Sequence, residues 1–258
     1  MAIQIHPTAL VDKNAQLGED VEIGPYASVG PDVKIGARTV VQQGAILRGH
    51  STIGEDCQIF PYACIGMKTQ DLKYKAGSVS YVEIGNRTVI REFATVHLGT
   101  KDGEKTIIGD DCLFMAYCHA AHGVILGNHV ICSNSVQLAG DVHIQDWAIV
   151  GGCAAAHQFC SIGRHAMVGG MTKIRQDVPP FMLCDMVDGG MKSWPSTRSP
   201  FTATNSMPGF TRRESSVAPQ NSGISTLRAW SCGRTRRAPS PRRSAPRRSP
   251  RAQAPGSG

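Results

Sequence analysis

The chain has 258 residues and a formal net charge of +7, a length that fits one large domain or one domain with an appendage. No run of eighteen apolar residues is present, and the opening MAIQIHPTALVDKN lacks an apolar core, so neither a membrane span nor a secretory leader is expected. The charge is divided: residues 191–258 hold twelve Arg, Lys192 and a single acid, Glu214, a net +12, so the first 190 residues carry −5.

From Ile5 onward an aliphatic residue recurs every six positions: Ile5, Val11, Leu17, Ile23, Val29, Ile35, Val41, Leu47, Ile53, Ile59, Ile65. The phase breaks, resumes one residue out of step at Ile84, Ile90 and Val96, and runs from Ile108 to Ile174. A period of six matches neither an α-helix nor an isolated strand. It predicts short strands joined by tight corners, with one inward side chain per hexad and three hexads per lap. Twenty-six hexads then give eight to nine laps of a parallel β-helix, stacked about 4.8 Å apart. A glycine often follows the aliphatic residue (Gly18, Gly24, Gly36, Gly54), and is expected to serve the corner geometry.

Two segments interrupt the rhythm. IGMKTQDLKYKAGSVSYVE, between the two phases, is too polar for the core and is expected to project as a loop carrying recognition residues, Asp71, Lys73 and Tyr74. DGEKTI, around Asp102, reads as a second, inserted loop. The nine cysteines are odd in number and form no CxxC pair. Cys57, Cys112, Cys132, Cys153 and Cys160 therefore read as reduced, buried thiols, which suits a cytoplasmic protein.

The stretch from Cys118 to Phe159 holds the candidate site. His122, Gly140 and Gln158 are eighteen residues apart and should stack in one column on one edge, with His119 just before its base and His157 beside its top. After IRQDVPPFML the pattern ends. The remainder carries nine of the fifteen prolines and too few aliphatics to offset chain entropy, so disorder is expected there.

The hexads together with IHPTALV, QDLKY, HAAH, LAG, AHQFC and VGG…QDVPPF, over residues 3–184, resemble the acyl-carrier-protein–UDP-N-acetylglucosamine O-acyltransferases of lipid A biosynthesis. The resemblance implies an all-β, left-handed parallel β-helix of hexapeptide repeats over residues 1–184. Residues 185–258 are expected to be a mostly disordered Arg/Pro/Ser-rich tail in place of the family's helical C-terminal domain. It also implies a homotrimer with sites in the clefts between prisms. The partners implied are acyl carrier protein bearing a 3-hydroxyacyl chain and UDP-N-acetylglucosamine, with no cofactor, no resident metal and no specific nucleic acid.

By resemblance His122, the second His of HAAH, is the general base. An imidazole near pKa 6.5 can take the proton of a sugar hydroxyl as it attacks, and Gly140 can offer a backbone N–H to the oxyanion. His119, His157 and Gln158 would bind sugar, nucleotide or acyl groups, Asp71 and Lys73 are substrate and carrier contacts, and Gly170 matches the floor of the acyl groove. Two residues depart from the family: Gly123 stands where Asp usually follows the catalytic His, and Asp141 where His usually follows LAG. Asp141 is therefore expected to orient His122 from the adjacent lap.

Other readings rest on the same residues. His122 as a structural histidine in a non-catalytic scaffold is one. A zinc hydratase with His119, His122 and His157 as ligands is a second. The related N-acyltransferase acting on the O-acylated sugar is a third. For the tail, out-of-frame translation of a GC-rich gene stands against a basic arm for nucleic acid or anionic membranes.

Overall fold

The computed structural model describes residues 2–185 and 190–193. Among them every regular element is a strand, most of them two residues long. The strands form three sheets in which, as far as Lys173–Ile174, each strand pairs in parallel with the one three places later; the chain winds as a three-faced left-handed parallel β-helix. The first face has eleven strands, from Gln4–Ile5 to Gly190–Ser193, the second nine, from Leu10–Val11 to Lys173–Ile174, and the third eight, from Gln16–Leu17 to Ser161–Ile162.

The hexad residues are the core. On the first face Ile23, Val41, Ile59, Ile90, Phe114 and Cys132 stand in direct register and are fully or almost fully buried. On the second, Leu47, Ile65, Val96, Ala120, Leu138 and Ala156 do the same. Each lap therefore seals the apolar floor of the next, the arrangement by which repeat folds build one continuous core.

The glycines work differently from the sequence expectation. Left-handed backbone recurs at nearly every corner, but on non-glycine residues such as Asp20, Arg38, Asp56, Asp111 and Trp147. Most glycines that follow the inward aliphatic residue sit in ordinary backbone and serve close approach between laps. A β-carbon on Gly18 would come 2.6 Å from Ala37 N, and one on Gly36 2.6 Å from the Gly54 carbonyl carbon.

The phase break also has a physical cause. Gly66, in left-handed backbone (φ +73°), occupies a register shift in the strand Cys64–Met67. The chain leaves the prism there and rejoins it at Tyr81–Ile84, which pairs in full register with His50–Ile53. The second excursion lies earlier in the chain than expected: residues 98–104 leave the prism, whereas Lys105–Ile108, the end of the DGEKTI segment included, is a strand of the third face. Among the cysteines, Cys57, Cys112, Cys132 and Cys160 are buried, whereas Cys153 is exposed at a corner.

The last described strands form an antiparallel pair, Met182–Asp185 with Gly190–Ser193, on the first face. The expected boundary at residue 184 thus falls within a hairpin. The basic tail beyond Ser193, with the disorder expected of it, lies outside the described residues.

Candidate active site

Both excursions leave from the edge between the second and third faces, and so does the corner that bears His122. The long loop follows Cys64–Met67, the short one follows Thr95–His97, and the His122–Gly123 turn follows His119–Ala120. Those three strands are consecutive rungs of the second face. Residues far apart in the chain are thereby delivered to one edge.

The two loops brace each other. Thr69 Oγ1 and Thr100 Oγ1 are 3.2 Å apart and buried, Ser80 Oγ donates to Gly99 O at 2.8 Å, and Val79 N–H donates to Asp102 Oδ1 at 2.9 Å. Glu104 turns back into the short loop, where its Oε2 accepts from the N–H groups of Thr100 and Lys101. Between the loops and the prism lies a pocket of about 460 Å³. Its wall includes Asp71, Lys73, His119, His122, Asp141 and Gln158. His97, Lys101 and Glu104 line it as well.

At its centre, His122 Nε2 is 3.5 Å from Asp71 Oδ2, with both side chains more than four-fifths buried. Asp71 is itself held: its N–H donates to Thr69 Oγ1 at 3.1 Å and its Oδ1 accepts from Lys73 N–H at 3.0 Å. The Lys73 N–H, then the charges of His122 and Lys73, hold the Asp71 carboxyl below the usual carboxylate range. The ring of His122 lies over Gly140, where a β-carbon would collide with Nε2 and Cε1. The laps are joined by Asp141 N–H to His122 O at 3.0 Å and Phe159 N–H to Gly140 O at 3.1 Å. His122, Gly140 and Gln158 therefore do lie in one column.

His119 packs edge-on against His97 at 4.8 Å between ring centroids, and its Nδ1 is 2.7 Å from Thr95 Oγ1. Burial, and secondarily the neighbouring His97, push the His119 imidazole down to about 4, and burial lowers His97 too. Both rings are neutral near pH 7 and offer hydrogen bonds without charge.

The other expected site residues divide between this pocket and the rest of the surface. His157 is exposed, its Nδ1 3.1 Å from Gln158 O, and it does not line this pocket. His119, His122 and His157 consequently form no metal-ligating group; among the described residues that spacing is met only by Glu104, His122 and Asp141, whose ligand atoms lie within 4.8 Å of one another. Gly170 sits beside Gly152 at the corner between the first and second faces, a different edge of the prism. The carboxylate at ion-pair distance from His122 is that of Asp71. His97 and Glu104 escaped the sequence reading because nothing in a six-residue rhythm marks the last residue of a strand or the end of an inserted loop.

Residues 3–49 match the family model described as bacterial transferase hexapeptide (six repeats). Over 179 residues the chain is 47% identical to the acyl-[acyl-carrier-protein]–UDP-N-acetylglucosamine O-acyltransferase of Herminiimonas arsenicoxydans, covering 69% of this chain and 68% of that protein. Among solved structures it resembles the UDP-N-acetylglucosamine acyltransferase of Campylobacter jejuni (45% identity, TM-score 0.66, 70% of each chain). It also resembles that of Francisella novicida (36% identity, TM-score 0.70, 73% of this chain and 69% of the other). The prism, its hexad core and this extent of identity place the chain in the family of acyl-[acyl-carrier-protein]–UDP-N-acetylglucosamine O-acyltransferases.

Proposed function

We propose that this chain transfers a (3R)-3-hydroxyacyl group from acyl carrier protein to the 3-hydroxyl of UDP-N-acetylglucosamine, the first step of lipid A biosynthesis. The observation that carries the reading is the His122 imidazole, braced over Gly140 and beside Asp71 in a pocket of a chain from this family.

His122 Nε2 accepts the proton of the sugar hydroxyl while the oxygen attacks the thioester carbonyl, a contribution of roughly 10²–10⁴ in rate. The carbonyl oxygen becomes an oxyanion, for which the Gly140 N–H is the nearby backbone donor. The tetrahedral centre then expels the carrier's thiolate, which takes the proton from His122. Asp71 keeps its charge because Lys73 N–H and its neighbours stabilise the carboxylate, and it anchors the sugar close to the base. His119 and Gln158 bind substrate from the pocket wall, while Lys73 meets the anionic carrier or nucleotide.

His157 and Gly170 contribute, on this reading, across the cleft between copies of a homotrimer, with Gly170 flooring the acyl groove. No helix among the described residues is long and apolar enough to cross a membrane, and the reaction's two soluble substrates fit a cytoplasmic enzyme. The test is turnover of purified full-length chain with 3-hydroxyacyl carrier protein and UDP-N-acetylglucosamine, with the product identified by mass. We expect O-acylated nucleotide sugar, its formation reduced by about 10²-fold or more in His122→Ala. No product, or equal product from His122→Ala, overturns the reading. Sedimentation gives the assembly: a monomer at assay concentration overturns the trimer.

A further inference from the structure

The buried side of His122 holds an unanswered polar atom. Nδ1 is inaccessible to solvent and has no hydrogen-bond partner among the described residues. For Nε2 to accept a proton, the neutral ring must carry its own proton on Nδ1, and which nitrogen is protonated is set by the partner of the other. A buried N–H without an acceptor is costly.

Two carboxylates stand close to this ring. One oxygen each from Glu104 and Asp141, together with a ring nitrogen of His122, lie within 4.8 Å of one another. Both border the empty space at Gly123: a β-carbon there would meet Asp141 Oδ1 at 2.5 Å and Glu104 Oε1 at 3.2 Å. Asp141 arrives from the following lap, tied by its N–H to His122 O, and Glu104 from the preceding excursion. The charged groups on the pocket side of the ring are Asp71, Lys73 and Lys101. Glu104 Oε2 is occupied by the loop's own N–H groups, which leaves Oε1 toward Gly123.

We infer that Glu104 and Asp141 act together as positioning residues for His122, converging on the space above Gly123 within 4.8 Å of the ring, so that a small shift of ring or carboxylate closes a hydrogen bond from Nδ1–H and selects the reactive tautomer. This rests on the acyl-transfer reading and adds Glu104 to it. The absent side chain at residue 123 is what admits both carboxylates, so a side chain there and Asp141 compete for one space.

The test uses the full chain with Glu104→Gln, Asp141→Asn, both together, Gly123→Asp, and Gly123→Asp with Asp141→Ala. Steady-state kcat and KM are measured for both substrates. The His122 tautomer is read from ¹⁵N–¹H correlation spectra of histidine-labelled protein, assigned with a His122 variant. Each single carboxamide should lower kcat about tenfold and the pair about 10²-fold or more, with KM nearly constant and the His122 signal moving from the Nδ1–H to the Nε2–H form. Gly123→Asp alone should be impaired. Removing the Asp141 side chain with it should return most of kcat, because a carboxylate again occupies the space.

If the folded double carboxamide keeps the Nδ1–H tautomer, or loses activity only through KM, the proposal is wrong. Because Glu104 also holds its loop, Asp141→Asn and the Gly123→Asp/Asp141→Ala exchange decide the matter should Glu104→Gln not fold. A wild-type chain without turnover overturns the acyl-transfer reading, whereas the tautomer spectra still report on the carboxylates.

Discussion

The imidazole of His122 rests on the α-carbon of Gly140, the residue eighteen places later, and the absence of a side chain at 140 is the condition for that packing. Gly140 does not sit in left-handed backbone, so alanine is conformationally acceptable and acts only through the ring. Gly140→Ala should displace the imidazole and lower kcat by about 10²-fold or more, the worth of a general base. The melting temperature should change by only a few degrees. Kinetics and calorimetry on the same sample check this.

Gly66 should respond in the opposite way. Its φ of +73° and the crowding of its missing β-carbon by Arg48 O and Ser51 Oγ mean that Gly66→Ala strains the exit of the long loop. The loss of stability should exceed about 1 kcal/mol. Since Asp71 and Lys73 ride on that loop, KM for substrate should rise more than kcat falls. Denaturant titration and initial-rate kinetics would measure both.

Leu138 tests the core beneath the site. Its register partners on the second face are Ala120 and Ala156, small residues that cannot expand into a void. Leu138→Ala should therefore cost toward the upper end of the about 2–5 kcal/mol seen for such truncations. A loss below about 1 kcal/mol in a two-state denaturant unfolding curve would contradict this packing.

Acid should weaken the fold through His119. The folded ring titrates near 4 because burial, and then His97, disfavour its charge, while the unfolded chain protonates near 6.5. Between those values the unfolded state binds more protons, so stability present above pH 6.5 is lost as pH falls toward 4. One such proton corresponds to at most about 1.4 kcal/mol per pH unit, reduced by the ring's partial solvation. His97 acts in the same direction. His119→Gln should flatten the dependence of unfolding free energy on pH across this window, measured by denaturant titration from pH 4 to 7.

The order of residues alone determined a great deal here. A side-chain period of six is a statement about which atoms face inward, and hydrophobic burial enforces it lap by lap; the coil count, the core ladders and the single column of His122, Gly140 and Gln158 all follow from counting. What counting could not reach was decided in three dimensions. Glycine's role, close approach instead of left-handed turning, depends on how tightly successive laps stack. Glu104 and His97 enter the pocket because two excursions leave from the same edge and hydrogen-bond to one another through Thr69, Thr100 and Ser80, a relationship with no spacing rule. Period and polarity are local properties of a chain, whereas the meeting of two loops over one imidazole is a property of their shared exit from the coil.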